Sequence, residues 1–214
     1  MVDYFMPKPK RTTADILRDA QTTLATAFVG LRDLIDGAPT RKLCGLRNLI
    51  VFGRASTCVL QNLRPNESGF DAWYKKYVDE MKDDQLMRYF YKLRSVILKK
   101  GILRTDIKGY IERLFSEDMK RFGPPPPFAK SFFIGDELGG TGWEVELPDG
   151  SKAKYYVELP SDIGSVTMHF PNSPDRHLGR KIEDSSVDNL SELYLSYLNR
   201  MLEDAIQKFG KSLE

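Results

Sequence analysis

The sequence predicts a mainly α protein, an antiparallel helical bundle with a small antiparallel β insertion before its C-terminal helix. Three observations lead there. Apolar residues recur at three- and four-residue steps through the first 122 residues, four successive prolines interrupt the chain, and beyond them the apolar period drops to two. With 214 residues, 41% of them hydrophobic, the chain can bury a sizeable core as one domain carrying an insertion.

Thr12 or Thr13 opens the first helix, whose apolar face is Ile16, Leu17, Ala20, Leu24, Ala27, Phe28, Leu31, Leu34 and Ile35, and Gly37 and Pro39 end it. The second runs through Leu43, Leu46, Leu49, Ile50, Val59, Leu60 and Leu63 until Pro65 stops it. Ser68 or Asp71 is expected to cap a third helix bearing Phe70, Trp73, Tyr74, Tyr77, Val78 and Met81. Asp83 or Asp84 then caps a fourth, with Leu86, Phe90, Leu93, Val96 and Ile97 on its apolar face and Gly101 as its stop. A fifth helix is expected from Thr105 or Asp106, carrying Ile107, Tyr110, Ile111, Leu114, Phe115 and Met119. Short connections between amphipathic helices make antiparallel neighbours.

The stretch "GPPPPF", 123–128, cannot be helical and reads as a stiff spacer, or else as a ligand for a proline-reading module. After it, "KSFFIG" and "GWEVELPDGSKAKYYVEL" alternate like strands around a Pro148-Asp149-Gly150 turn, and "IGSVTMHF" reads as a further strand. The stretch "PNSPDRHLGRK" reads as a surface loop, and a last helix starts near Ser186. The expected organisation is a bundle over 1–122, a linker and β insertion over 123–185, and a C-terminal helix over 186–214 that returns to the bundle.

The net charge of +2 hides an uneven distribution. Residues 1–122 hold 23 Lys and Arg against 15 Asp and Glu, a net of +8, while residues 123–214 carry a net of −6. A basic part facing an acidic part suits either polyanion binding or mutual attraction, including attraction across a dimer. The longest uninterrupted apolar runs, such as 49–52, are a few residues, far short of the roughly 20 needed to span a bilayer, so no membrane span is expected. The start "MVDYFMPKPKRTTAD" lacks the pattern of a secretory signal, and Cys44 and Cys58 read as ordinary reduced thiols, which makes a cytoplasmic protein the expectation.

No cofactor or metal is expected. "GDELGGTGWE" lacks the lysine and following helix of a phosphate loop, and the two cysteines and two histidines do not have metal-ligand spacing.

The chemistry centres on "LRSVILKKG", preceded by "DDQLMRYFYK". Together with the helical pattern over roughly 12–122, it resembles the HEPN superfamily, helical-bundle proteins in which an Arg, often followed by Asn, precedes a His near a helix end. The resemblance implies a homodimer whose motifs face each other. In active members it implies metal-independent RNA cleavage, as found in toxin–antitoxin and phage-defence systems. In that chemistry the His moves a proton of the ribose hydroxyl and the Arg stabilises the phosphate.

Position by position, Arg94 matches the family's Arg, Ser95 stands where Asn is usual, and Lys99 stands where His would be. A lysine with a pKa near 10.4 is a poor base at neutral pH, although it can hold phosphate, as can its neighbour Lys100. The motif therefore reads as degenerate, with weak or absent ribonuclease activity. A second cluster, "LRNLIVFGRAST", offers Arg47, Asn48 and Arg54, and positions 47 and 54 share a helical face; with Arg94 they line an anion-binding strip, or else they are surface cations paired with carboxylates. His177, beside Arg176, Arg180 and Lys181, is a phosphate contact or a base supplied from elsewhere, whereas His169 reads as structural. Trp73, Tyr77 and Phe90 read as core, while Tyr74, Tyr89 and Tyr91 suit either packing or stacking on unpaired bases.

Three functions are compatible with these residues. The chain is a HEPN-like dimer that binds RNA or a nucleotide, a non-catalytic interaction module paired with a protein encoded nearby, or a ribonuclease whose base lies outside the motif.

Overall fold

The computed structural model describes residues 11–210. The N-terminal stretch inspected for a signal, up to residue 10, and the last four residues assigned to the C-terminal helix lie outside it. Five α-helices are present: α1 (Thr13–Ile35), α2 (Pro39–Leu60), α3 (Phe70–Asp83), α4 (Gln85–Lys100) and α5 (Val187–Phe209). Between α4 and α5 lie seven strands: β1 (Asp106–Ile111), β2 (Ala129–Ile134), β3 (Thr141–Glu146), β4 (Lys152–Val157), β5 (Gly164–His169), β6 (Arg176–His177) and β7 (Arg180–Lys181).

The mainly α expectation is corrected to an α+β mixture. Helix makes up 55% and strand 18%, the latter in three small antiparallel sheets. The largest cause is the expected fifth helix. Its first half is strand β1, paired with β5 in the register Ile107↔Met168 and Gly109↔Val166, and its second half is a 3-10 turn over Ser116–Phe122. The i, i+3, i+4 spacing of Ile107, Tyr110 and Ile111 is real, but only Ile107 packs against the bundle core, and Tyr110, Ile111, Leu114 and Phe115 are all exposed. Ladder pairing with β5 decides the conformation over the local pattern. The segment read as a surface loop also contains structure, the β6–β7 hairpin.

Each α-helix starts where its sequence allows. Thr12 and Asp15 form a reciprocal capping box on α1, the Asp84 side chain accepts from the Met87 N–H at the start of α4, and the Ser186 hydroxyl accepts from the Asn189 N–H at the start of α5. The start of α3 differs from expectation. Gly69 is its N-cap, without a side-chain bond, and Asp71 sits in the first turn.

The core is the space between the helices. Ile16, Leu24 and Leu34 of α1 meet Leu46, Leu49 and Ile50 of α2, and Phe70, Phe90, Leu195 and Met201 complete it from α3, α4 and α5. Gly30 and Gly45 let α1 and α2 touch backbone to backbone; a Cβ at Gly30 would stand 2.6 Å from the Gly45 carbonyl oxygen. The β1–β5 ribbon docks on this core through Met168, with Phe170 just beyond it. The β2–β3–β4 meander has its own cluster, in which Phe132 lies 4.7 Å from Phe122 and 4.9 Å from Trp143 between ring centres.

By length and composition Pro39–Leu63 would suit a bilayer, which the count of uninterrupted apolar residues did not show. Its Leu46, Leu49, Ile50, Leu60 and Leu63 are buried in the bundle, which accounts for that composition. Cys44 and Cys58 are free and exposed.

Candidate functional site

Helix α4 carries most of the expected motif, and its geometry separates the residues. Arg94 and Lys99 are five positions apart, about 140° around a helix of 3.6 residues per turn. Arg94 consequently turns inward and is half-buried, whereas Lys99 and Lys100 are exposed in the last turn. Ser95 does not face a ligand either; its hydroxyl donates to the Tyr91 carbonyl at 3.0 Å, one turn back.

Arg94 meets a different neighbour. Its Nε is fully buried without a hydrogen-bond partner, and so is Nη1 of Arg54 on α2. Both act on the same side chain, Tyr194 of α5: burial pushes the Tyr194 hydroxyl well above its ordinary pKa, while the positive charges of Arg54 and Arg94 pull the other way. Tyr194 is fixed by stacking on Phe90 of α4, with ring centres 4.2 Å apart and planes within 6°. It also requires Gly53, because a Cβ there would lie 2.8 Å from Tyr194 Cε1 and 3.1 Å from Leu195 Cδ2. The glycine next to Arg54 thus lets α5 bring its tyrosine close against α2.

Beside this cluster is a cavity of about 400 Å³, lined by Arg54, Lys82, Arg88 and Tyr194 among apolar walls that include Met81 and Met87. Arg54, Lys82, Arg88 and Arg94 enter no salt bridge among the described residues. A buried donor without an acceptor costs about 1–3 kcal/mol. An anion entering here would supply the missing acceptor and meet several charges at once. The apolar walls favour a ligand with a flat or apolar body beside its charged group.

The remaining predicted residues lie elsewhere. Arg47 shares its helix with Arg54 but donates from Nη2 to the Gly101 carbonyl at 2.8 Å, tying α2 to the end of α4. Asn48 is exposed at the crossing with α1, its Cβ close to Gly30. His177 sits in the β6–β7 hairpin with Nδ1 3.0 Å from Asp84 Oδ1 at the start of α4. Asp84 and Arg94 are ten residues apart, about 15 Å along the helix axis, so within one chain His177 cannot stand in for Lys99. Arg47 thus leaves the strip expected of Arg47, Arg54 and Arg94, and of the other two only Arg54 lines the cavity. Among the aromatics, Tyr74 is buried, Tyr89 donates to the Pro171 carbonyl at 2.9 Å, and Tyr91 is exposed at the edge of the cavity.

Lys82, Arg88, Gly53 and Tyr194 were not singled out as site residues. Tyr194 occupies an apolar stripe and Gly53 a helix interior, so nothing local marks either. Among the described residues no group of three or more His, Cys, Asp or Glu is placed to hold a metal ion. No protein-family model, curated protein or solved structure matches this chain.

Proposed function

We infer that the chain binds the phosphate of a nucleotide or of an RNA end in the cavity between α2, α3, α4 and α5. The observation that carries this reading is the buried, unpartnered Arg54 Nη1 beside a cavity that Lys82 and Arg88 also line. Phosphate oxygens are the acceptors that arginine forks fit best. Lys82 and Arg88 add charge at the entrance, and the apolar wall accommodates a base or sugar. On this reading the protein is HEPN-like, of a prokaryotic defence or toxin–antitoxin kind, acting in the cytoplasm. Two exposed, unpaired cysteines fit a reducing compartment. Arg94 and Lys99, facing different directions, support binding without cleavage at that motif.

The test is a titration of the full-length protein with a fluorescent nucleoside monophosphate and with a short single-stranded RNA carrying a terminal phosphate. The expected affinity is in the low micromolar range or weaker, falling as salt rises, because phosphate contacts release counterions. Arg54→Met should weaken binding at least about tenfold. Absence of binding to both probes at low ionic strength would remove the reading.

A homodimer belongs to the same proposal. Tyr91 and Leu98, seven residues apart on one face of α4, are 56% and 55% exposed, an apolar stripe that a second copy would cover. The same stripe supports the alternative of a non-catalytic module that docks a partner protein. Light scattering at tens of micromolar separates the two, with twice the chain mass expected for the dimer.

A further inference from the structure

The four-proline run lies far from the helical cavity in sequence and lines no part of it. Pro124, Pro125 and Pro126 are each followed by another proline, which disfavours the helical region and holds them extended as a polyproline II helix. Pro124, Pro125 and Pro127 are exposed, and Pro126 is half-buried. No backbone N–H of the described residues reaches the Pro124 or Pro125 carbonyl. The run is clamped at both ends. Before it, Arg121 grips Asp162 with two nitrogens, at 2.8 and 2.7 Å, and Phe122 is buried against Phe132. After it, Ala129 opens β2 opposite Val145 of β3. A segment already held in an extended shape loses little freedom when a partner takes it up.

The run ends on a strained aromatic residue. The Ala129 N–H donates to the Pro126 carbonyl at 3.2 Å, closing a turn with Pro127 and Phe128 at its centre. Phe128 has φ 67°, at the turn position where glycine costs least. Its carbonyl accepts from the Glu146 N–H at 3.2 Å, yet the residue is 58% exposed. A phenylalanine that strains its own backbone and fills no core is displayed rather than packed. The chemistry of this surface restricts what covers it. A strand cannot form a ladder with four successive residues that lack N–H groups. An apolar helix face would leave the open carbonyls without donors. Flat aromatic rings slotted between prolines, with an indole N–H or a phenol hydroxyl among them, satisfy both demands. Exposed Lys120 and Lys130 flank the run, and Lys130 has its nearest carboxylate, Glu146, 3.8 Å away, so an acidic rim on the partner is favoured.

We propose that residues 123–128 are a docking segment for a protein domain whose aromatic-lined groove reads polyproline II helices. Pro124 and Pro127 are three residues apart, one turn of such a helix, and so share a side of the run. Phe128 supplies an aromatic anchor for a pocket at the end of the groove. The segment shares no residue with the cavity beside Arg54, so the two readings stand or fall separately.

The experiment titrates the full-length protein into three labelled probes, a purified SH3 domain, a WW domain and an EVH1 domain, and follows fluorescence anisotropy. At least one should bind, and a synthetic peptide of residues 120–130 should displace the protein from it. Pro124→Ala combined with Pro125→Ala removes two exposed rings and should lower affinity at least about tenfold, with the melting temperature unchanged. Phe128→Gly relieves the positive φ, so its melting temperature should hold or rise while affinity falls at least about fivefold. A purely structural turn would not move the two readouts apart in this way. Nucleotide affinity should be the same in the proline variant as in the wild type, and Arg54→Met should bind the domain normally, which keeps failure of one reading distinct from failure of the other. Binding by none of the three domains at millimolar concentration would make the run a stiff spacer and overturn the proposal. Equal binding by the proline variant and the wild type would overturn it as well.

Discussion

The two ends of α4 solve opposite electrostatic problems. At the N-terminal end a buried carboxylate is surrounded by donors, so Asp84 joins α4 to the β6–β7 hairpin with its charge satisfied. Further along, two half-buried arginines near Tyr194, Arg54 and Arg94, each keep one buried guanidinium nitrogen that finds no acceptor. A completed network holds structure together, whereas an incomplete one is set up to receive a ligand. On the proposed reading the same helix serves as a lock at one point and as a receptor at another.

The largest effect that tests this contrast is expected from Asp84→Ala. It removes the helix cap and leaves His177 and the Leu178 N–H without their acceptor, which should cost about 3 kcal/mol in chemical denaturation. A loss under about 1 kcal/mol would show that the N-terminal end is not a lock. The opposite sign is expected for Arg54→Met with Arg94→Met. Replacing unsatisfied buried cations by apolar chains of similar length should leave the ligand-free protein equally stable, or more stable by about 1 kcal/mol. A destabilisation above about 2 kcal/mol would mark both arginines as structural.

A third test uses pH. The Asp84 pKa is lowered in the folded protein, so its contribution is complete above the unfolded value of about 3.9 and is lost as pH falls through the folded value. The acid-unfolding midpoint of Asp84→Asn should therefore be less steep in pH than that of the wild type, a change that urea titrations between about pH 2 and pH 5 would register. The smallest effect belongs to Lys99→Ala. An exposed cation in a last helical turn contributes a few tenths of a kcal/mol, and nucleotide affinity should change less than about twofold. A tenfold loss would return Lys99 to the site.

The elements that the sequence made legible are those whose signals are local. Thr12, Asp84 and Ser186 announce helix starts through their own side chains, and the apolar stripes of α1, α4 and α5 coincide with buried residues. The segment at 106–111 was misread because its spacing suits a helix equally well and its partner strand lies more than 50 residues downstream. Arg54 and Arg94 were both visible as cations, but their convergence depends on a tyrosine from a helix about 100 residues further on and on a glycine whose role is only to be small. The pairing of His177 with Asp84 was hidden for the same reason, since its two members are 93 residues apart.

The contact of α1 with α2 at Gly30 and Gly45 has a mechanical consequence. Two rods whose main chains already meet at van der Waals distance have no room to slide or tighten, so this pair acts as the stator of the molecule. Breathing that admits a ligand beside Arg54 is then left to α3, α4 and α5, which line the rest of the cavity. Amide hydrogen exchange should accordingly be slowest along α1 and α2 and faster in α3, with ligand slowing it mainly there.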